Sequence, residues 1–267
     1  MLKRENLESL YLALNKRRYV FPDPLDRVLQ YRKQKDREVA GLIAASLAYG
    51  SVLQIHRIVG RVLDRLGLDL HGTLKEADPG WIRSHLDGFV YRYTPARELF
   101  TLLLEIGTVL RDRGSLHASF MEEWREGEET TIPALTRWIR HWFTTGSLIS
   151  DPARGGACKR LHLYIRWMAR KDRVDPGPWT ALSPACLVMP VDRHIHRLAR
   201  VEGITERATA DARTALEITR YFRSLVPDDP ARYDFVLARI GMAETLQRSM
   251  PRHARMLIRL RDGLIQE

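Results

Sequence analysis

Residues 146–170 read GSLISDPARGGACKRLHLYIRWMAR, and the order of residue types in this stretch decides the kind of fold. A short helix is expected to end near Ile149, a turn to follow over Pro152, Gly155 and Gly156, and a second helix to start near Ala157. Proline and glycine are the residues that stop a helix and let the chain reverse. On a helical wheel Leu161, Tyr164, Ile165 and Met168 take positions i, i+3, i+4 and i+7 and form one apolar face. Lys159 falls on the opposite side, above Arg166 and Arg170.

Working outward, the same punctuation recurs. Thr94-Pro95 offers an N-cap followed by a proline at the first helical position. Leu99, Leu102, Leu103, Ile106, Val109 and Leu110 then repeat at helical spacing until Gly114. Ile55, Val59, Val62, Leu63 and Leu66 trace such a stripe after a break at Gly50, and Ala212, Ala215, Leu216, Phe222 and Leu225 trace another. Asp229-Pro230 repeats the cap signal ahead of Tyr233, Val236, Leu237 and Ile240. No alternating β-branched run is long enough to demand a sheet, so the fold class is all-α with about ten helices at ordinary helix lengths.

The 267 residues are 45% hydrophobic and 28% charged, enough for one substantial core or two lobes sharing an interface. No window approaches the ~18 unbroken apolar residues of a membrane span. The first six residues lead into a mixed polar segment rather than a secretory signal, so a cytoplasmic protein is expected. The net charge is +10, which makes a polyanion the first partner to consider. That charge is uneven: residues 151–200 hold ten Lys/Arg against four Asp, whereas residues 122–129 hold five glutamates and one arginine. Two cysteines, Cys158 and Cys186, are too few for a disulfide scaffold, a four-cysteine zinc site or a four-thiolate iron–sulfur cluster.

Candidate chemistry concentrates in the basic block. A helix, a glycine-containing hairpin and a second helix can hold a DNA phosphate, since glycines admit close backbone approach and the second helix presents N–H groups; the same residues also suit a plain turn between helices. A lysine at a helix start opposes the dipole, so Lys159 either answers to an anion or a reaction, or is simply solvated. In Met189-Pro190-Val191-Asp192-Arg193-His194-Ile195-His196-Arg197, Pro190 keeps Met189 out of helical angles. Asp192 can then N-cap a helix running to about Arg200. Such a carboxylate is held rigid and ionised, which suits stabilising a developing positive charge; capping alone explains it too. His194 and His196 point roughly 200° apart on a helix and cannot share a metal.

The hairpin, its lysine and Val191-Asp192-x-His194-x-x-Arg197 resemble the helix-hairpin-helix DNA glycosylase superfamily, the endonuclease III and 8-oxoguanine glycosylase group. Asp192, His194 and Arg197 match its second motif, with Arg193 in place of the usual threonine, and the hairpin's Gly155 and Gly156 are adjacent rather than spaced. Lys159 and Asp192 stand 33 residues apart, a longer separation that is similar to the archaeal 8-oxoguanine branch. The block from Cys158 to Met168 also resembles an uncharacterised bacterial family of such proteins.

The resemblance implies two helical lobes around a central cleft. One lobe would comprise residues 1–36 and 186–267 and carry Asp192; the other, residues 37–185, would carry the hairpin and Lys159. It implies a base-excision repair glycosylase with AP-lyase activity on an oxidised purine, 8-oxoguanine first. Lys159 would attack C1′ of a flipped nucleotide and form a Schiff base, with Asp192 stabilising the sugar cation. Arg154, Gly155, Gly156, Arg160, Arg166, Arg193, His194 and Arg197 would contact DNA. Tyr233, Asp234, Phe235 and Gln54 would recognise the base or wedge the strands, although Tyr233 and Phe235 suit a core and Asp234 a first-turn dipole partner equally well. The partner would be double-stranded DNA with a damaged base, the protein a nucleoid-associated monomer. No metal or cofactor is implied beyond a monovalent cation at the hairpin carbonyls. The rivals are a glycosylase for another lesion and a non-catalytic basic DNA- or RNA-binding protein of this fold.

Overall fold

The apolar stripes fold as helices in the computed structural model, which describes residues 2–247 and 251–265. In chain order they are α1 (Arg4–Leu14), α2 (Leu25–Val28), α3 (Gln34–Ser46), α4 (Val52–Leu66), α5 (Leu70–Glu76), α6 (Pro79–His85), α7 (Ala96–Arg113), α8 (Leu116–Glu123), α9 (Ile132–Trp142), α10 (Lys159–Ala169), α11 (Arg193–Val201), α12 (Ala212–Leu225), α13 (Asp234–Gly241), α14 (Ala243–Leu246) and α15 (Pro251–Ile265). The tally exceeds the expected ten because α2, α5, α6 and α14 are only one or two turns long. Among the described residues the protein is all-α apart from one hairpin of two-residue strands, β1 (Val90–Tyr91) against β2 (Thr94–Pro95), antiparallel with Tyr91 opposite Thr94. Among the described residues no helix is long and apolar enough to cross a membrane.

Three boundaries differ from expectation, and in the first two a tertiary contact has claimed the capping side chain. Thr94 does not cap α7: its buried Oγ1 accepts from Tyr49 Oη at 2.6 Å and lies 2.6 Å from Ser147 Oγ, so α7 starts after Pro95. Asp229 does not open α13, because both its oxygens accept from Arg170 Nε at 2.9 Å, and the helix begins five residues on. The short helix expected to end near Ile149 is absent; α9 stops at Trp142. In its place Ser147 donates through N and Oγ to Glu98 Oε2, and Gly146 N donates to Ile149 O. Only a 3₁₀ turn over Pro152–Arg154 precedes the glycines, capped by Asp151 Oδ1.

The extensively packed helix pairs fall into two sets. In the first, α3 is buried along almost its whole length and packs on α2, α4, α5, α8 and α10, while α7 packs on α5, α6 and α8. Two carboxylates of this buried helix serve other helix starts: Asp36 accepts from His71 N of α5, and Glu38 accepts from His117 N of α8, where negative charge is favoured. Trp138, Trp179, Tyr164 and Phe120 form the aromatic centre of this set. In the second set α13 packs on α1, α11, α14 and α15. Helix α2 joins the first set through α3 and α4.

The sets meet along a polar seam. Arg166 of α10 and Arg170, the residue just past its end, pair with Asp234 and Asp229, Arg239 of α13 reaches Asp23 at 2.5 Å, and Tyr11 of α1 donates to Asp172 at 2.8 Å. Lys159 and Asp192 also face each other across it.

Candidate active site

Residue by residue, the site starts at the beginning of α10. Gly155 turns the chain at φ +78°, Cys158 takes the left-handed conformation at φ +42°, and Lys159 is the first helical residue. Left-handed angles at a non-glycine residue cost energy, so the hairpin is held from outside. Ala212 N donates to Gly155 O at 2.9 Å, tying the turn to the start of α12. Gly155 N likewise donates to Pro152 O, so the Gly155 and Pro152 carbonyls each accept a backbone N–H group.

Asp192 caps α11 as its position suggests. Oδ1 accepts from the backbone N–H of His194 at 2.8 Å and of Ile195 at 2.9 Å. Oδ2 faces the other way, 3.6 Å from Lys159 Nζ. One oxygen is thus fixed by the helix start, and the other is presented to the amine. Lys159 retains about a third of its side-chain exposure and Asp192 about a fifth, so the pair is reachable from solvent.

A cleft of about 690 Å³ opens beside Lys159, lined among others by Tyr49, Ser150, Asp151, Arg154, Cys158 and Arg160. Its size is that of an ordinary small-molecule site. Tyr49 is the residue that sequence reading missed: its ring lies under the Arg160 guanidinium at 5.3 Å and stacks on Tyr93 at 5.0 Å. The signal was there in Tyr49-Gly50 ahead of α4 and in the aromatic–arginine alternation Tyr91-Arg92-Tyr93. Burial pushes the Cys158 thiol up to about 11, which keeps it protonated and a poor nucleophile.

Several residues expected to touch DNA or base are otherwise engaged. Arg166 is 2% exposed and bonded to Asp175 at 3.0 Å and to Asp234, so it cannot reach a phosphate. Arg160 donates to Ser46 O at 2.6 Å and Ser147 O at 2.7 Å, and anchors the end of α3 instead of presenting a free fork. Tyr233 and Phe235 are core: Tyr233 donates to Glu8 Oε1, and Phe235 packs beneath Arg239. Asp234 is 3% exposed and committed to Arg166. Burial drives its carboxyl up to about 6, against the pull of Arg166, and the Asp192 charge adds to the rise. The wheel showed Arg166 and Arg170 on a polar face but not that a second set of helices covers that face with aspartates.

Arg154, Gly155, Gly156, Arg193 and Arg197 are exposed. His194 is half-buried; burial and the nearby Arg193, Lys159 and Arg197 hold its ring below the usual histidine range, though Asp192 opposes them. Its Nε2 accepts from Arg193 Nε at 3.3 Å. Gly241 is what admits this ring, since a Cβ there would stand 2.6 Å from His194 Cβ. Gln54 is exposed at the start of α4, in a separate cleft with Arg57, Arg61 and Arg92. His196 Nε2 lies 2.9 Å from Arg207 O, and no cluster of three metal-ligating side chains occurs among the described residues.

Fold and site together define an all-α protein in which a partly exposed lysine that lines a cleft meets a helix-capping carboxylate. Residues 23–243 match the model of DUF2400, a family described as protein of unknown function, and the chain belongs to that family. No curated protein and no solved structure matches it.

Proposed function

We propose that this protein is a base-excision DNA glycosylase with AP-lyase activity, built on the two-lobed helix-hairpin-helix plan, that removes an oxidised purine such as 8-oxoguanine from duplex DNA. The observation that carries the proposal is the meeting of Lys159 and Asp192: 33 residues apart along the chain, they stand 3.6 Å apart, and Lys159 lines the cleft. The exposed Arg154, Gly155, Gly156, Arg193 and Arg197 supply the phosphate contacts on either side. The active unit is a monomer working at the nucleoid, and no resident cofactor is assigned.

The chemistry follows from the two side chains. Lys159 gives up a proton, with Asp192 Oδ2 as the acceptor within reach, and its free amine pair attacks C1′ of the flipped nucleotide. The C1′–N bond breaks and its electron pair leaves with the base, which takes up a proton. Asp192 Oδ2 hands the proton it took from Lys159 on to the departing base, and the carboxylate so restored offsets the positive charge on the sugar. Opening of the sugar ring gives the Schiff base, and loss of a C2′ proton expels the 3′ phosphate.

Borohydride trapping on duplexes carrying 8-oxoguanine, oxidised pyrimidines, uracil or alkylated purines is the test. The wild type is expected to form a covalent adduct with the oxidised-purine duplex, and Lys159→Gln to form none while keeping salt-sensitive binding. Full trapping by Lys159→Gln would show that the nucleophile is another residue. Trapping confined to another duplex of the panel would reassign the lesion.

A second reading has an observation of its own. Asp192 Oδ1 is satisfied by two backbone amides, so a structural cap bearing an incidental ion pair accounts for the same contact. The protein would then be a non-catalytic basic helical nucleic-acid binder, and no duplex in the panel would trap.

A further inference from the structure

The cleft beside Lys159 is not the only one near Tyr49. Tyr49 lines the lysine cleft, and Tyr91, whose ring centroid is 4.8 Å from that of Tyr49, lines a second cleft of about 270 Å³ with Gln54, Arg57 and Arg61 of α4 and Val90 and Arg92 of the hairpin. Three of its residues are arginines and none is acidic. Arg57 and Arg61, four residues apart, project from one face of α4, and both are exposed.

The hairpin that closes this cleft breaks a local rule. With Tyr91 paired to Thr94, its loop is just Arg92-Tyr93. Two-residue loops ordinarily use Asn and Gly, because a positive φ is needed. Here Arg92 carries φ +53°, and Tyr93 is left 64% exposed. Residues placed against turn preference mark functional positions more often than defects. The surroundings also hold the strained loop firmly. Tyr91 Oη donates to Tyr49 O, Tyr49 Oη donates to Tyr91 O at 3.2 Å and to Thr94 Oγ1 at 2.6 Å, and Gly50 at φ +107° leaves room for the Arg92 side chain. From Thr94 the bonds run through Ser147 to Arg160, the residue after Lys159. Tip and lysine therefore belong to one rigid unit.

We propose that the Arg92-Tyr93 tip with Arg57 and Arg61 is a second DNA-contact surface, one that holds strand phosphates in the arginine cleft and stacks Tyr93 on a base unpaired beside the lysine cleft. An exposed aromatic ring on a hydrogen-bonded support suits base stacking, and three arginines in a cleft with no acidic lining residue suit phosphate. The proposal rests on the DNA-directed reading above, but not on its chemistry.

The experiment is anisotropy binding of the full chain to a duplex with one central mismatch, from 50 to 200 mM salt, with 2-aminopurine beside the mismatch as a stacking probe. For Arg57→Gln/Arg61→Gln the slope of log K against log salt is expected to flatten by about 1.8, two phosphate contacts at about 0.9 each. Tyr93→Ala is expected to weaken mismatch binding about tenfold relative to the paired duplex, and to lose the 2-aminopurine quenching. All three positions are exposed, so folding is not at stake. An unchanged slope with unchanged mismatch preference overturns this surface, even if the wild type traps with borohydride. Both effects present in a wild type that never traps would leave the surface standing and remove the glycosylase chemistry. No salt-sensitive DNA binding by the wild type overturns both.

Discussion

Helix α10 makes two kinds of cation–carboxylate contact, and they differ in kind. At its C-terminal end Arg166 and Arg170 are sunk among Asp175, Asp172, Asp229 and Asp234, each guanidinium holding two or more carboxylates at ion-pair distance. At its N-terminal end Lys159 meets one oxygen of Asp192 at 3.6 Å, with solvent within reach. The first arrangement has no freedom left: Arg170 is driven well above even the usual arginine range, its neighbouring aspartates outweighing the cost of burial. The second is single and loose. A guanidinium fork suits a permanent, multivalent joint. An amine that must lose a proton and move suits chemistry. The difference teaches that charge along one helix can be divided between construction and reaction by how fully each group is enclosed.

Several changes would break or sharpen that contrast. The largest effect is expected from Arg170→Met, which leaves Asp175, Asp172 and Asp229 short of a partner in a buried seam. Unfolding in urea is expected to show a loss of about 3 to 5 kcal/mol, and a loss under 1 kcal/mol would mean that the seam is not what joins the two sets of helices. Midway between the two ends, His162 is fully buried and held at about 4 by burial alone. The unfolded chain binds this proton first as pH falls, so its contribution to stability is complete above about 6.5 and is lost between about 6.5 and 4. The cost is about 3 kcal/mol, at roughly 1.4 kcal/mol per pH unit. Stability measured against pH should therefore fall more steeply in that window for wild type than for His162→Leu, and parallel curves would contradict it.

Gly241→Ala drives a methyl against His194 Cβ and is expected to cost about 1 to 3 kcal/mol. Because α13 supports α11 there, borohydride trapping should weaken with it, and full trapping would show that α11 shifts without consequence for Asp192. The smallest stability change belongs to Lys159→Gln: a part-exposed pair contributes less than about 1 kcal/mol, so its urea midpoint should barely move. A large drop would place Lys159 with the arginines as a structural cation.

Much of the skeleton was legible in the sequence. The stripe from Leu99 to Leu110 becomes α7 and ends at Gly114 in the left-handed conformation; Asp192 caps α11; Lys159 opens α10. These features depend on local spacing and backbone donors, which sequence displays directly. What stayed hidden depends on what a side chain meets across the fold. Thr94 and Asp229 have the chemistry of caps, but Tyr49 and Arg170 claim them. Tyr233, Asp234 and Phe235 have the composition of a recognition triplet, yet Glu8, Arg166 and Arg239 enclose them. Spacing shows that Arg166 is polar-facing; only the covering helices decide whether that face is wet. Tyr49 escaped notice for the converse reason: its signal, one aromatic residue ahead of a glycine break, is local and not periodic.

Asp192 serves two masters with separate atoms, and a near-isosteric replacement can dismiss one without the other. Asparagine keeps a side-chain oxygen able to accept from the His194 and Ile195 amides, and ranks with aspartate at helix starts. It brings no negative charge to the lysine. Asp192→Asn is thus a separation-of-function substitution: the scaffold should persist, and whatever Lys159 does by virtue of an anionic neighbour should cease.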